Sequence, residues 1–138
     1  MADFARFVES LPTEPHKTMA NTLLYIASPY SHEDPAVRQA RFEAVCRMTA
    51  ELIRQGKPAY SPVVHSHPLC HYGLPLCWDF WQRHDLRFLE MCSEVVVLKL
   101  PQWEKSVGVN AEIAAARAMG KPVTFMEPVA SHLGNAVA

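Results

Sequence analysis

Glu94-Val95-Val96-Val97-Leu98 sets four apolar side chains in a row behind one acid, and three of the four are β-branched. The run is too short for a helix and shows no polar alternation, so it reads as a strand buried inside a sheet. A second run, Leu23-Leu24-Tyr25-Ile26-Ala27, stands upstream and breaks at Ser28-Pro29-Tyr30-Ser31, where the chain must open into a loop. Between them, Phe42, Val45, Thr49, Leu52 and Ile53 recur at three- and four-residue spacing within Pro35 to Gln55, and Gly56 follows. That is a helix with one buried face and a glycine where a left-handed cap is common.

Lys57 to Val64 supplies Ala59, Tyr60, Val63 and Val64 around Pro62 and is expected to form the second strand, since proline is acceptable at a strand end or edge though not in the middle of a central strand. His65 to Cys77 contains two prolines, a glycine and three histidines without periodicity, and is expected to be a loop serving as a lid. Asp79 to Cys92 has a helical pattern with Trp81, Phe88, Leu89 and Cys92 on one face. Pro101 to Val107 reads as a loop carrying Trp103, Gly108 to Met119 as an alanine-rich helix closed by Gly120, and Pro122 to Met126 as the last strand. The alternation of strand and helix argues for an α/β domain: a single Rossmann-like or flavodoxin-like parallel sheet of four to five strands, helices on both faces. It is expected over residues 23–130, with an N-terminal arm over 1–22 and a C-terminal tail over 131–138.

Bulk properties fit one such unit. The chain of 138 residues is 49% hydrophobic and 20% charged, and its net charge of −1 makes no field for a nucleic-acid polymer. No stretch approaches the roughly eighteen apolar residues of a membrane span, and Met1 to Ser10 lacks a signal-peptide pattern. Cys46, Cys70, Cys77 and Cys92 are irregularly spaced, which suits reduced thiols; a cytoplasmic protein without a membrane partner is expected.

In an open parallel sheet, ligands bind beyond the carboxyl ends of the strands. That rule selects Ser28 to Asp34, His65 to Trp78, Pro101 to Glu112 and the segment after Met126. The phosphate-loop lysine pattern, the dinucleotide glycine fingerprint and the Gly-x-Ser-x-Gly elbow are all absent. Carboxylates, histidines and aromatics remain. Glu112 falls early in its helix, where unpaired amides favour an ionised side chain, although glutamate suits any helix start. Asp85 continues the apolar stripe of its helix, a costly place for a carboxylate unless it is paired or used. Burial would raise its pKa toward that of a proton donor; a bond to a loop amide, Arg83 or Arg87 is the alternative account. One ionised and one protonated carboxyl group are the usual equipment for breaking a bond at a sugar's anomeric carbon, and the same logic serves N-glycosidic bonds.

The segments Leu24 to Tyr30, His84-Asp85-Leu86-Arg87-Phe88-Leu89 and Ser106 to Ile113, with the closing Gly120-Lys121-Pro122-Val123, span about three-quarters of the chain. In these segments the sequence resembles the nucleoside 2-deoxyribosyltransferase-like superfamily, which includes the nucleoside 5′-monophosphate N-glycosidases; the nearest likeness is to a bacterial branch. The resemblance implies that Glu112 is the nucleophile, that Asp85 assists the leaving base and that Tyr25 positions the nucleophile. Ser106 stands where the monophosphate glycosidases carry a phosphate-contacting serine and the transferases an aspartate, which points to a 5′-monophosphate. Ser28-Pro29 replaces the family's glycine after the first strand. A homodimer or larger oligomer is implied by the same likeness.

Ser28, Tyr30, Ser31 and Arg38 or Arg41, together with Ser106 and Gly108, are candidates for holding an anion, although serine before a helix is also an ordinary cap. His65, His67 and Trp81 are candidate substrate contacts, with Trp78, Tyr72 and Trp103 nearby; core packing is the simpler account of Trp81. His65-Ser66-His67 with Cys70, His71 and Cys77 holds donors for zinc but lacks paired Cys-x-x-Cys units and a carboxylate ligand. The expected activity is therefore cleavage or transfer of an N-glycosidic bond on a small nucleotide or nucleoside, with no cofactor and no metal. A non-catalytic nucleotide sensor and a zinc-dependent hydrolase using the histidine segment are the alternatives.

Overall fold

The computed structural model describes residues 22–129. Four parallel strands form one sheet in the order β2-β1-β3-β4: β1 Leu24–Ala27, β2 Ala59–Tyr60, β3 Glu94–Leu98 and β4 Val123–Met126. The two apolar runs that opened the sequence reading are the central pair, with Tyr25 beside Val95 and Ala27 beside Val97. Their lack of alternation follows from cover on both faces. Leu24, Ile26, Val96 and Leu98 pack with Val45, Met48 and Leu52 of α1 (Pro35–Arg54) and with Val63 of α2 (Pro62–Cys70). On the other face, Tyr25, Ala27, Val95 and Val97 meet Leu89 of α3 (Trp78–Met91) and Val109, Ile113 and Ala116 of α4 (Val107–Ala118).

Local chemistry sets the helix ends. Asp34 caps α1 by accepting from Ala36 N (2.9 Å), and Gly56 takes the left-handed conformation beyond its end (φ 81°). Ser106 caps α4, accepting from Val109 N at 3.2 Å. At the end of α3, Lys121 Nζ donates to the carbonyls of Leu89, Glu90 and Cys92 at 2.6–2.7 Å.

The second strand is a correction. It ends at Tyr60, and the stretch expected as strand end and lid begins with a helix, α2, leaving only residues 71–77 outside regular structure. Ser61 Oγ accepts from Val64 N (3.1 Å), and Pro62 occupies the first helical position, where its missing N–H is no loss. The arm expected over 1–22, Thr22 apart, and the tail over 131–138 lie outside the described residues. No described helix is long and apolar enough to cross a membrane.

From β1 the chain moves through α1 to β2 at one edge, then returns past β1 to β3. The connections therefore diverge between the tips of β1 and β3, where a crevice must open.

Candidate active site

A cleft of about 470 Å³ lies at that divergence. Ser28 to His32 after β1 line one wall, Gln102 and Lys105 to Gly108 after β3 line another, and Pro62, Val63, Ser66 and Cys70 of α2 face Trp78, Asp79, Trp81 and Asp85 of α3. Glu112 also lines the cleft, from α4.

Glu112 is 4% exposed, and the Tyr25 hydroxyl donates to its Oε2. Burial pushes the Glu112 carboxyl up to about 8; the Tyr25 hydroxyl works against this and the neighbouring Asp85 charge adds to it. The same burial, reinforced by Glu112 and Asp85, pushes the Tyr25 hydroxyl far up, so it remains a donor. Asp85 is 7% exposed and its pKa is also raised by burial, offset by the hydrogen bond and charge of His84 and by His65. Two carboxyl groups thus line one cavity, both with suppressed ionisation, so the pair retains protons to higher pH than free carboxyl groups do.

This corrects the expectation that the helix start keeps Glu112 ionised. Glu112 is the sixth residue of α4, beyond the first turn that holds the unpaired amides, and desolvation outweighs any residual dipole. The Arg83 and Arg87 alternative for Asp85 is not realised: Asp85 pairs with His84 (3.1 Å), and Arg87 with Glu90.

Of the residues singled out by sequence, the structure brings Glu112, Asp85, Ser28, Tyr30, Ser31, Trp81, Ser106 and Gly108 to the cleft, with Tyr25 behind Glu112. It does not bring Arg38, His65 or His67. The Arg38 guanidinium donates to the His32 carbonyl, whereas Arg41, three residues on, lines the cleft and donates to Ser31 O at 2.9 Å. His67 is fixed between Tyr30 Oη (2.6 Å) and Gln39 Oε1 (3.1 Å) and stacks on Phe42, and burial pushes its pKa down. His65 points instead to His84, their rings parallel at 5.6 Å. The two histidines of the His-x-His pair thus have separate partners, and among the described residues no three donors are grouped to hold a metal ion. Trp103 packs on Phe125 and Tyr72 is exposed; neither lines the cleft.

Sequence reasoning missed Lys105, Gln102 and Ser66. Lys105 had a signal, since a cation just before a helix start runs against the usual charge preference. Gln102 had none: its left-handed backbone (φ 70°) is a property of the loop. At Gly108 an added Cβ would meet Trp78 Cε3 at 3.2 Å, so the glycine lets the indole lie on the start of α4.

Among curated proteins no match is found. Residues 22–128 match the family described as "Domain of unknown function (DUF1937)", which covers more than half of the chain, and the protein therefore belongs to that family.

Proposed function

We propose that the cleft breaks the N-glycosidic bond of a nucleoside 5′-monophosphate, passing the sugar to water or to a second base. The observation that carries this reading is the Tyr25–Glu112 hydrogen bond at the cleft wall beside Asp85, two buried carboxyl groups of which one is oriented by a fixed donor. Glu112 as carboxylate attacks the anomeric carbon, and Asp85 as acid protonates the departing ring nitrogen. The reactive pair therefore carries one proton. Burial pushes the Glu112 carboxyl up to about 8 and raises that of Asp85 as well, so the pair holds a proton near neutral pH. Positive charge developing on the sugar lowers the proton affinity of Glu112 and favours the form with the proton on Asp85.

Lys105, Arg41 and the Ser106 hydroxyl supply charge and hydrogen bonds for a phosphate, and the tryptophans at positions 78 and 81 supply apolar ring surface for the base. The resemblance of the Ser106 segment to the monophosphate glycosidases supports the same substrate class.

The test is to incubate the protein with ribo- and deoxyribonucleoside monophosphates and follow free base by chromatography. Base release should vanish in Glu112→Ala and fall by roughly 10²- to 10⁴-fold in Asp85→Asn. The pH profile of kcat/KM should be bell-shaped: below the lower limb Glu112 and Asp85 both hold protons and no nucleophile exists, and above about 8 both are ionised and no acid exists. Tight nucleotide binding without base release would replace this reading by that of a sensor.

A further inference from the structure

Asp85 has a second neighbour that the cleft does not contain. His84 Nδ1 lies 3.1 Å from Asp85 Oδ1, hydrogen-bond distance for a proton held on either atom. The His84 side chain is 39% exposed and the Asp85 side chain 11%. His84 is absent from the cleft wall, whereas Asp85 is part of it. The imidazole therefore joins bulk solvent to the carboxyl group from behind, on a path that a bound substrate does not block.

The imidazole is held in place. The His65 ring lies parallel to it at 5.6 Å, the Trp81 ring meets it edge-on at 5.4 Å, and Phe88 lies 5.0 Å away. The titratable groups around the pair are His65 from α2, Tyr60 from β2, Tyr25 from β1 and Glu112 from α4. Of these, His65 is the one whose ring lies parallel to the imidazole.

We infer that His84 is the positioning residue of Asp85 and carries its proton: it orients the carboxyl group and exchanges protons with solvent while substrate fills the cleft. The inference rests on the glycosidic reading above. In the forward step, protonated His84 passes its Nδ1 proton to Asp85, and Asp85 passes a proton to the ring nitrogen of the base. The bond from that base to the anomeric carbon breaks with its electron pair going to the base, and Glu112 oxygen bonds to the carbon. In the second step, water attacks the carbon and the bond to Glu112 breaks; Asp85 returns a proton to His84 and takes the water's proton in its place, so that both groups end the cycle as they began it. The sum is substrate plus water to free base plus sugar phosphate.

The experiment uses the full chain and the monophosphate it cleaves fastest, comparing wild type with His84→Ala and His84→Asn. Asparagine places an amide N–H near the position of Nδ1 but cannot carry a proton. Both variants should lose on the order of 10²-fold in kcat at pH 7.5 with KM nearly unchanged. The loss should shrink at pH 5.5, where solvent acid loads Asp85 directly, and added imidazole should restore much of the His84→Ala activity through the opening left at the surface. Wild-type kcat in either variant, or a His84→Ala loss that imidazole does not relieve, overturns the relay while leaving the glycosidic reading intact. Absence of base release by the wild type overturns both.

Discussion

Glu112 shows how one side chain's chemistry depends on depth. Its carboxyl group has an ordinary pKa of 4.5 and, buried in the fold, one of about 8. The folded protein therefore holds this proton more tightly than the unfolded chain. The associated stability is fully present below the unfolded value and is lost as pH rises through about 8, with a slope of at most about 1.4 kcal/mol per pH unit. Glu112→Gln keeps an acceptor for Tyr25 and removes the titration. Urea denaturation at a series of pH values should show the variant gaining on the wild type between about pH 5 and pH 8, and no further gain above that range. The position of Asp85 was legible in the sequence because it interrupts an apolar stripe of its own helix. The protonation of Glu112 was not, because it depends on how completely the second turn of α4 is covered by β1 and α3, a tertiary property. The choice between Arg38 and Arg41 is tertiary too: the loop after β1 presents the His32 carbonyl to Arg38 and the Ser31 carbonyl to Arg41, and Arg41 lines the cleft.

At the level of elements, most boundaries followed from caps that the sequence carries openly: Asp34-Pro35, Gly56 and Gly120. The misreading fell on Ser61-Pro62-Val63-Val64, where a cap-plus-proline start competes with two β-branched residues that suit a strand. Burial of Pro62, packing of Val63 in the core beside β1 and β3, and the bond to Ser61 Oγ decide for helix. Another feature could not be read at all. Lys121, 31 residues beyond Glu90, ties off the carboxyl end of α3 with its ammonium on three carbonyls. Lys121→Met keeps the apolar stem but leaves those carbonyls without their charged donor. It should destabilise the protein by about 1–3 kcal/mol in chemical denaturation, and amide exchange in the last turn of α3 should quicken more than in α1.

For the molecule as a whole, the order of element types was enough to give the layered α/β architecture, since two runs of apolar residues without alternation require cover on both faces. The location of the cleft followed from the same topology, but its membership did not. Which of the loop histidines faces inward was decided by α2, whose helical phase turns His65 toward α3 and His67 toward α1. Of the two arginines that the sequence offered, the structure puts Arg41 at the cleft, and it adds Lys105 to the lining and His84 behind Asp85.

The pairing of β1 with β3 directly beneath the cleft has one more consequence. A molecule spanning the two tips clasps the strands whose parting is global unfolding, so occupancy is recorded as resistance to heat. A nucleoside monophosphate at a hundredfold excess over its Kd should add about 2.7 kcal/mol, visible in a melting curve even where turnover is too slow to follow.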